Sequence, residues 1–473
     1  MDASAFLPML DHRLCVPRLL LTTVAIATPL CAQVGAPGRG NSRHWDQPNA
    51  VLIPGATELR KETFTLSAPA TLFVRADGHV LPTSWPTAVT ARVWISVDGS
   101  PASNASEVSW NRSIAPQPHT VNCVAGMTLN AGTHEVALEA SSTDGTFRLD
   151  GASMSVFVAP ASQVQMRQTV TDTPEIFAVL PGPRSSSRCA WGRLPYHSVL
   201  SLDMPTSDLP VFVFGSCHAF ISRAAGDMML GLFMPRSDER VERSVDFEGT
   251  FSVQDLYPAA ELNAAVFVQG VMRGTAPSSE FRPRVQLGGT EFPPSFHSTR
   301  ALAYRVGGGA ALVAVSGGLQ VAGWADKTAG VKCSAVCIGG QGSGCPPLGT
   351  EFVVSRGTIS IPPGHDGRVF ISGKARCQGN TGDESTRVTM QIRLNGSYVG
   401  STSMQGTGGW LGGWDSSLSQ RTLSSSYLTT GGTALPQGNH TVELVCIVNS
   451  IVLPPRTLRY SIWDDATQLV WFD

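Results

Sequence analysis

Lysine is nearly missing from this chain. It occurs only at Lys61, Lys327, Lys332 and Lys374, so arginine carries almost all of the positive charge. Charged residues of both signs amount to 15 % and sum to a formal net charge of −2. Scattered in this way they build no field able to hold a polyanion or an anionic membrane, and no nucleic-acid partner is expected. Long apolar runs are missing too. The stretch from Leu19 to Ala27 falls far short of the roughly twenty residues that a membrane-spanning helix needs, and no later segment reaches that length. Helical periodicity sustained over several turns is confined to the same N-terminal stretch, which excludes a helix-rich fold.

Familiar catalytic signatures are absent as well. The chain has no His-Glu-x-x-His, no phosphate loop of the Gly-Lys-Ser type and no Gly-x-Ser-x-Gly elbow. The acid pairs Asp464-Asp465 and Asp383-Glu384 make poor glycosidase carboxylates, because adjacent strand residues point to opposite faces and loop acids are solvated. Asp366, within Gly364-His365-Asp366-Gly367, reads as turn chemistry. No catalytic residue, metal set or cofactor is assigned.

What the chain does have is turns. Its 473 residues include 48 Gly and 32 Pro, and that length suits two to four domains of ordinary size. Near the start, Arg13 and Arg18 precede the apolar run, which leads to Cys31-Ala32-Gln33. That order of charge, apolar core and cleavage site is the pattern of a secretory signal, with the cut placed after Ala32. A lipid anchor on Cys31 fits less well, since Pro29 and Leu30 stand where a lipobox has small residues. Removing the signal leaves eight cysteines, an even number that in an oxidising compartment suggests disulfides. Cys377 with Cys446 is the first pairing expected and Cys189 with Cys217 the second. Cys333, Cys337 and Cys345 form a cluster that Cys123 either joins or leaves. Zinc is the weaker reading of that cluster, because it lacks a second close pair or a His pair.

Along the rest of the chain, short runs of β-branched and aromatic residues alternate with Gly, Pro, Asn and Asp, the spacing of a β-sandwich. Arg92 to Val97 ends at Asp98-Gly99, and Arg387 to Leu394 ends at Asn395-Gly396. Both dipeptides predict tight hairpins, since such turns require positive φ. Val388, Met390, Ile392 and Leu394 alternate with polar neighbours, as one buried face demands. The runs also repeat. Leu72-Phe73-Val74, Val211-Phe212-Val213 and Val369-Phe370-Ile371 each open a block. Further on, Leu129 to Leu138 matches Leu435 to Leu444, each with a glycine turn feeding a strand. His134 and His440 hold equivalent places in that motif and read as turn supports.

These Leu-x-x-Gly-x-His-x-Val-x-Leu segments, followed by a strand such as Ala152 to Val158, resemble the closing strands of jelly-roll domains. Carbohydrate-binding modules, tumour-necrosis-factor-like heads and many phage and bacterial surface proteins carry similar segments. The resemblance implies architecture and transfers no functional residue. It departs from the middle block, which lacks the Gly-x-His turn. The expected fold is therefore all-β, with two or three antiparallel jelly-roll-like sandwiches in tandem after the signal. The expected segments are a signal over 1–32, a polar lead over 33–62 and a first sandwich over 63–160. A divergent second follows over 161–310, and a Cys-containing segment with a third over 311–473.

One stretch suggests a binding role. Gly406 to Asp415 sets Trp410 and Trp414 among glycines, where their rings could stack on sugars and Asp415 could accept hydroxyl hydrogen bonds. A capping role for the two indoles is the competing reading. The expected function is that of a secreted or cell-surface protein, periplasmic if export stops at an outer membrane, that binds a glycan or other surface polymer. One alternative is a structural or adhesive component that homo-oligomerises through its sheet faces. Another is a secreted hydrolase whose residues converge only in three dimensions.

Overall fold

Strand-forming runs cut this short by turns can satisfy their backbone groups only by pairing with one another. The computed structural model pairs them in antiparallel ladders throughout. It describes residues 41–47, 51–53, 55–83, 88–111, 118–143, 146–171, 175–179, 197–203, 211–222, 226–233, 247–253, 261–272, 284–289, 302–317, 320–321, 331–338, 349–380, 386–406, 418–450, 457–463 and 467–472. The expected signal segment lies outside them.

The first roll comprises β1 (Arg43–Gln47), β2 (Val51–Ile53), β3 (Thr57–Leu66), β4 (Ala70–Pro82), β5 (Ala88–Val97), β6 (Ser100–Pro101), β7 (Ser106–Asn111), β8 (His119–Leu129), β9 (Gly132–Thr143) and β10 (Phe147–Pro160). The second comprises β11 (Val164–Thr171), β12 (Glu175–Val179), β13 (His197–Asp203), β14 (Val211–Ser222), β15 (Gly226–Phe233), β16 (Phe247–Val253), β17 (Glu261–Met272), β18 (Arg284–Gly289) and β19 (Leu302–Gly317). The third comprises β20 (Gln320–Val321), β21 (Val331–Ile338), β22 (Glu351–Ile361), β23 (Phe370–Asn380), β24 (Thr386–Leu394), β25 (Ser397–Gly406), β26 (Leu418–Leu428), β27 (Gly438–Ser450), β28 (Thr457–Trp463) and β29 (Thr467–Phe472).

All three rolls repeat one topology. The inner sheet of the first runs β1-β10-β4-β8 and that of the second β11-β19-β14-β17. In the third, β23 lies between β26 on one side and β28 and β29 on the other. The outer sheets run β3-β9-β5-β6, β13-β18-β15-β16 and β22-β27-β24-β25. The chain passes between the two sheets at most connections, which is the Greek-key path of a jelly roll. The middle block, which lacks the Gly-x-His turn, is thus a complete copy, because the ladder order depends on strand pairing rather than on one turn. Pairing in the first roll begins at Arg43, inside the stretch whose polarity reads as a lead.

The local expectations hold. Asp98, Gly99, Asn395 and Gly396 all have positive φ, as two-residue hairpin turns require. Val388, Met390, Ile392 and Leu394 are buried in the third core, with Val442 and Leu444 among their neighbours in that cluster.

The rolls are not independent beads, for residues 34–473 form one compact unit. The edge strand of each outer sheet packs on the inner sheet of another roll. Strand β7 packs on β14, β17 and β19; β16 packs on β26; and β25 packs on β4, β8 and β10. The contacts therefore run from first to second, second to third and third back to first. Inside this ring the inner sheets share an apolar cluster that includes Phe73, Phe157, Phe212, Phe214, Phe370 and Leu428. The repeated block-opening motifs thus place Phe73, Phe212 and Phe370 where the three rolls meet. Complete burial of a side chain of this size contributes about 2–3 kcal/mol relative to exposure.

Candidate functional site

Alternation along β4 sends Leu72, Val74 and Ala76 into the first roll's own core, while Phe73, Arg75 and Asp77 face the junction of the rolls. Phe73 lies 5.0 Å from the ring of Phe214 and 5.5 Å from that of Phe370. Two residues on, the junction turns polar. The Arg75 and Asp77 side chains are both 0 % exposed and form a two-pronged pair at 2.8 and 2.9 Å. Arg75 also donates to the Ser372 hydroxyl and to the Ser425 carbonyl, and its guanidinium lies 4.1 Å from the centre of the Phe267 ring. Asp77 accepts from Ser424 at 2.8 Å and Ser426 at 2.6 Å, and Gln269 bridges to Ser372. Burial pushes the Arg75 pKa down, while the Asp77 carboxylate pulls it up. The pair ties all three rolls together and is sealed from any ligand.

The histidines of the repeated motif brace hairpins. His134 Nδ1 lies 2.8 Å from Asp98 Oδ2 and Nε2 lies 2.9 Å from the Asn130 carbonyl. Asp98 also accepts the Glu135 N–H at 2.9 Å. In the third roll, His440 Nε2 donates to the Pro436 carbonyl at 2.8 Å and Nδ1 accepts from the Asn395 amide at 2.9 Å. Partial burial opposes the His134 charge, but the Asp98 carboxylate and the Asn130 carbonyl outweigh it and raise its pKa. Partial burial likewise pushes Asp98 up, yet its bonds to His134 and Glu135 leave it below the ordinary value.

One arrangement that sequence reading misses resembles hydrolase chemistry. Ser155 Oγ lies 2.9 Å from His44 Nδ1, and His44 Nε2 lies 2.9 Å from Asp46 Oδ1. The geometry joins nucleophile, base and orienting acid in name. Ser155 is 0 % exposed, however, so no substrate reaches it. The His44 ring packs edge-on against Tyr427 of the third roll at 4.7 Å, and the chain pins β1 at that seam. His44 and Ser155 are 111 positions apart, which is why no local motif announces them.

The expected binding residues Trp410, Trp414 and Asp415 lie outside the described residues, in the connection from β25 to β26. Cys189 and Cys345 also lie outside. Cys123 and Cys217 are buried free thiols, each pushed up to about 12 by burial. Cys123 Sγ donates to the Val93 carbonyl at 3.0 Å. Cys377 is on β23 and Cys446 on β27, strands of the two facing sheets of the third roll. Cys333 and Cys337 fall on β21, paired along β28 rather than in a loop. Four residues apart on an extended strand, their Cα atoms are about 13 Å apart, too far to bridge each other. Among the described residues no cluster of three or more His, Cys, Asp or Glu is placed to hold a metal, and no helix is long and apolar enough to cross a membrane.

No known family pattern and no curated protein sequence matches the chain. Among solved structures, the N-terminal CBM22-1-CBM22-2 tandem domain of Paenibacillus barcinonensis Xyn10C aligns with 59 % of this chain and 92 % of its own length. The identity is 10 % and the TM-score 0.17. The jelly-roll assignment rests on the strand order itself: the chain folds as three jelly-roll β-sandwiches joined in a ring.

Proposed function

We propose that this chain is an exported recognition protein, a single polypeptide folded as a three-lobed head that binds a glycan or other surface polymer. The observation that carries the reading is the three-way packing. The inner sheets and their buried charges are consumed in holding the lobes together, so the outer sheets and the strand connections remain to meet a partner. A rigid frame that presents such surfaces suits recognition. The sealed Ser155 weighs against the hydrolase alternative. The connection from β25 to β26 carries Trp410, Trp414 and Asp415 in its sequence, and apolar rings and a carboxylate are groups that suit a sugar.

The test is retention of the mature protein on immobilised polysaccharides and a glycan array. Retention by the wild type, lost in the Trp410→Ala, Trp414→Ala double variant, supports the reading and locates it. Unchanged retention with a lowered Tm assigns the indoles to a cap. The oligomeric alternative makes a different prediction. The sheet faces through which separate jelly rolls trimerise are occupied here within one chain, so light scattering is expected to return the mass of one chain.

A further inference from the structure

On the outer face of the third roll, four residues stand in one row across four strands. Arg356 of β22 is opposite Glu443 of β27, which is opposite Arg393 of β24, which is opposite Tyr398 of β25. The Glu443 side chain is 7 % exposed and is gripped from both sides, accepting Arg356 Nε at 2.5 Å and Arg393 Nε at 2.6 Å. Burial pushes its pKa up, but the two guanidiniums more than reverse that. Arg393 also donates to Glu351 at 2.5 Å. With Glu351 beside the row, two arginines and two glutamates leave this patch without net charge.

Tyr398 completes it. This residue is 39 % exposed, one of the most exposed large apolar side chains among the described residues. Burial, with the Glu351 carboxylate as a further cause, pushes the phenol up to about 12. The Arg393 guanidinium lies 5.8 Å from the ring centre.

The fold does not require this row. The matching positions in the first roll, in the same cross-strand register, are Lys61, Ala137, Ser96 and Pro101. An exposed aromatic face within a neutral rim of donors and acceptors is complementary to the C–H face of a pyranose and its hydroxyls. It offers a polyanion no net field.

Building on the glycan-binding reading above, we infer that the outer face of the third roll is the binding platform and that its ligand is a neutral pyranose polymer. Tyr398 supplies the stacking ring, and Glu351 and Arg356 are the hydroxyl partners at the rim. The experiment is affinity electrophoresis of the mature full-length protein through gels containing hydroxyethylcellulose, xylan or mixed-linkage β-glucan, with alginate as the anionic control. Wild type is expected to be retarded by at least one neutral polymer. Tyr398→Ala should weaken that retardation at least tenfold with an unchanged Tm, whereas Tyr398→Phe should keep it. Retardation of Tyr398→Ala equal to wild type overturns the platform and leaves glycan binding standing. Retardation by alginate alone overturns the neutral ligand. If wild type is retarded by nothing, the binding reading falls and the platform with it.

Discussion

Asp98 and Asn395 occupy the same turn position in the first and third rolls and brace equivalent histidines, His134 and His440, yet they set different hydrogen-bonding requirements. His134 faces two acceptors, a carboxylate and a carbonyl, so both ring nitrogens must carry protons. His440 faces one carbonyl and one amide that can donate, so its neutral form suffices. The raised His134 pKa means that its contribution is full below the unfolded value near about 6.5 and fades as pH rises through the folded value. The depressed Asp98 pKa means that its contribution is full above about 3.9 and fades as pH falls through the folded value. Asp98→Asn is expected to flatten the difference in urea-unfolding stability between about pH 5.5 and about pH 8.5. The Asp98 side chain is half-exposed, so the change should stay below about 1 kcal/mol. An unaltered pH slope in that variant would refute the latch. Both hairpins are legible in the sequence because a turn is decided by its own two residues. The protonation difference is not, since it depends on what faces each ring across the turn.

Strand edges and faces show which signals survive from sequence to structure. The open edge strand of each outer sheet carries a register shift, between Glu58 and Arg60 in β3, Ser198 and Ser201 in β13, and Val353 and Ser355 in β22. Such irregularities spoil an edge as a template for further strands. Between rolls the fit is tight at Gly126 of β8. A Cβ there would meet Met166 Sδ at 2.2 Å and Val313 Cγ1 at 2.6 Å across the boundary with the second roll. Met166 can move, but a β-branched valine cannot easily do so. Gly126→Ala is expected to cost about 1–3 kcal/mol in urea unfolding through overpacking. Gly55→Ala, with nothing within 4 Å, is the control and should be near neutral. Alternation marks which face of β24 is inside, because its other face meets solvent. It fails on β4, where Phe73 and Val74 are both buried, one against other rolls and one in its own core. A strand covered on both faces reads as an unbroken apolar run, so the repeated Phe motifs point to strands without revealing that they meet.

For the whole molecule, the buried Arg75 and Asp77 pair determines how the rolls hold together. Calorimetry of the chain is expected to show one cooperative transition, since no roll can separate without exposing this pair and the aromatic cluster. Asp77→Ala leaves a guanidinium buried without its counterion and should cost about 3–5 kcal/mol. Arg75→Met combined with Asp77→Leu should recover much of that loss, because an apolar pair has no desolvation penalty. Equal destabilisation by the single and double variants would show that the ion pair does not act as argued. None of this is readable along the chain. Asp77 meets Ser424 and Ser426 at separations of 347 and 349 residues, and a run of three serines looks like a surface loop rather than the wall of a buried ion pair.

The residues two places beyond Phe73, Phe212 and Phe370 are Arg75, Phe214 and Ser372. In an assembly of three identical subunits every side chain at the axis occurs in triplicate, and three guanidiniums would confront one another with no room for relief. Covalent linkage lifts that constraint. Each third of the polypeptide can drift on its own, so a substitution lands once, and a neutral patch of charges capped by a tyrosine can arise on one lobe alone.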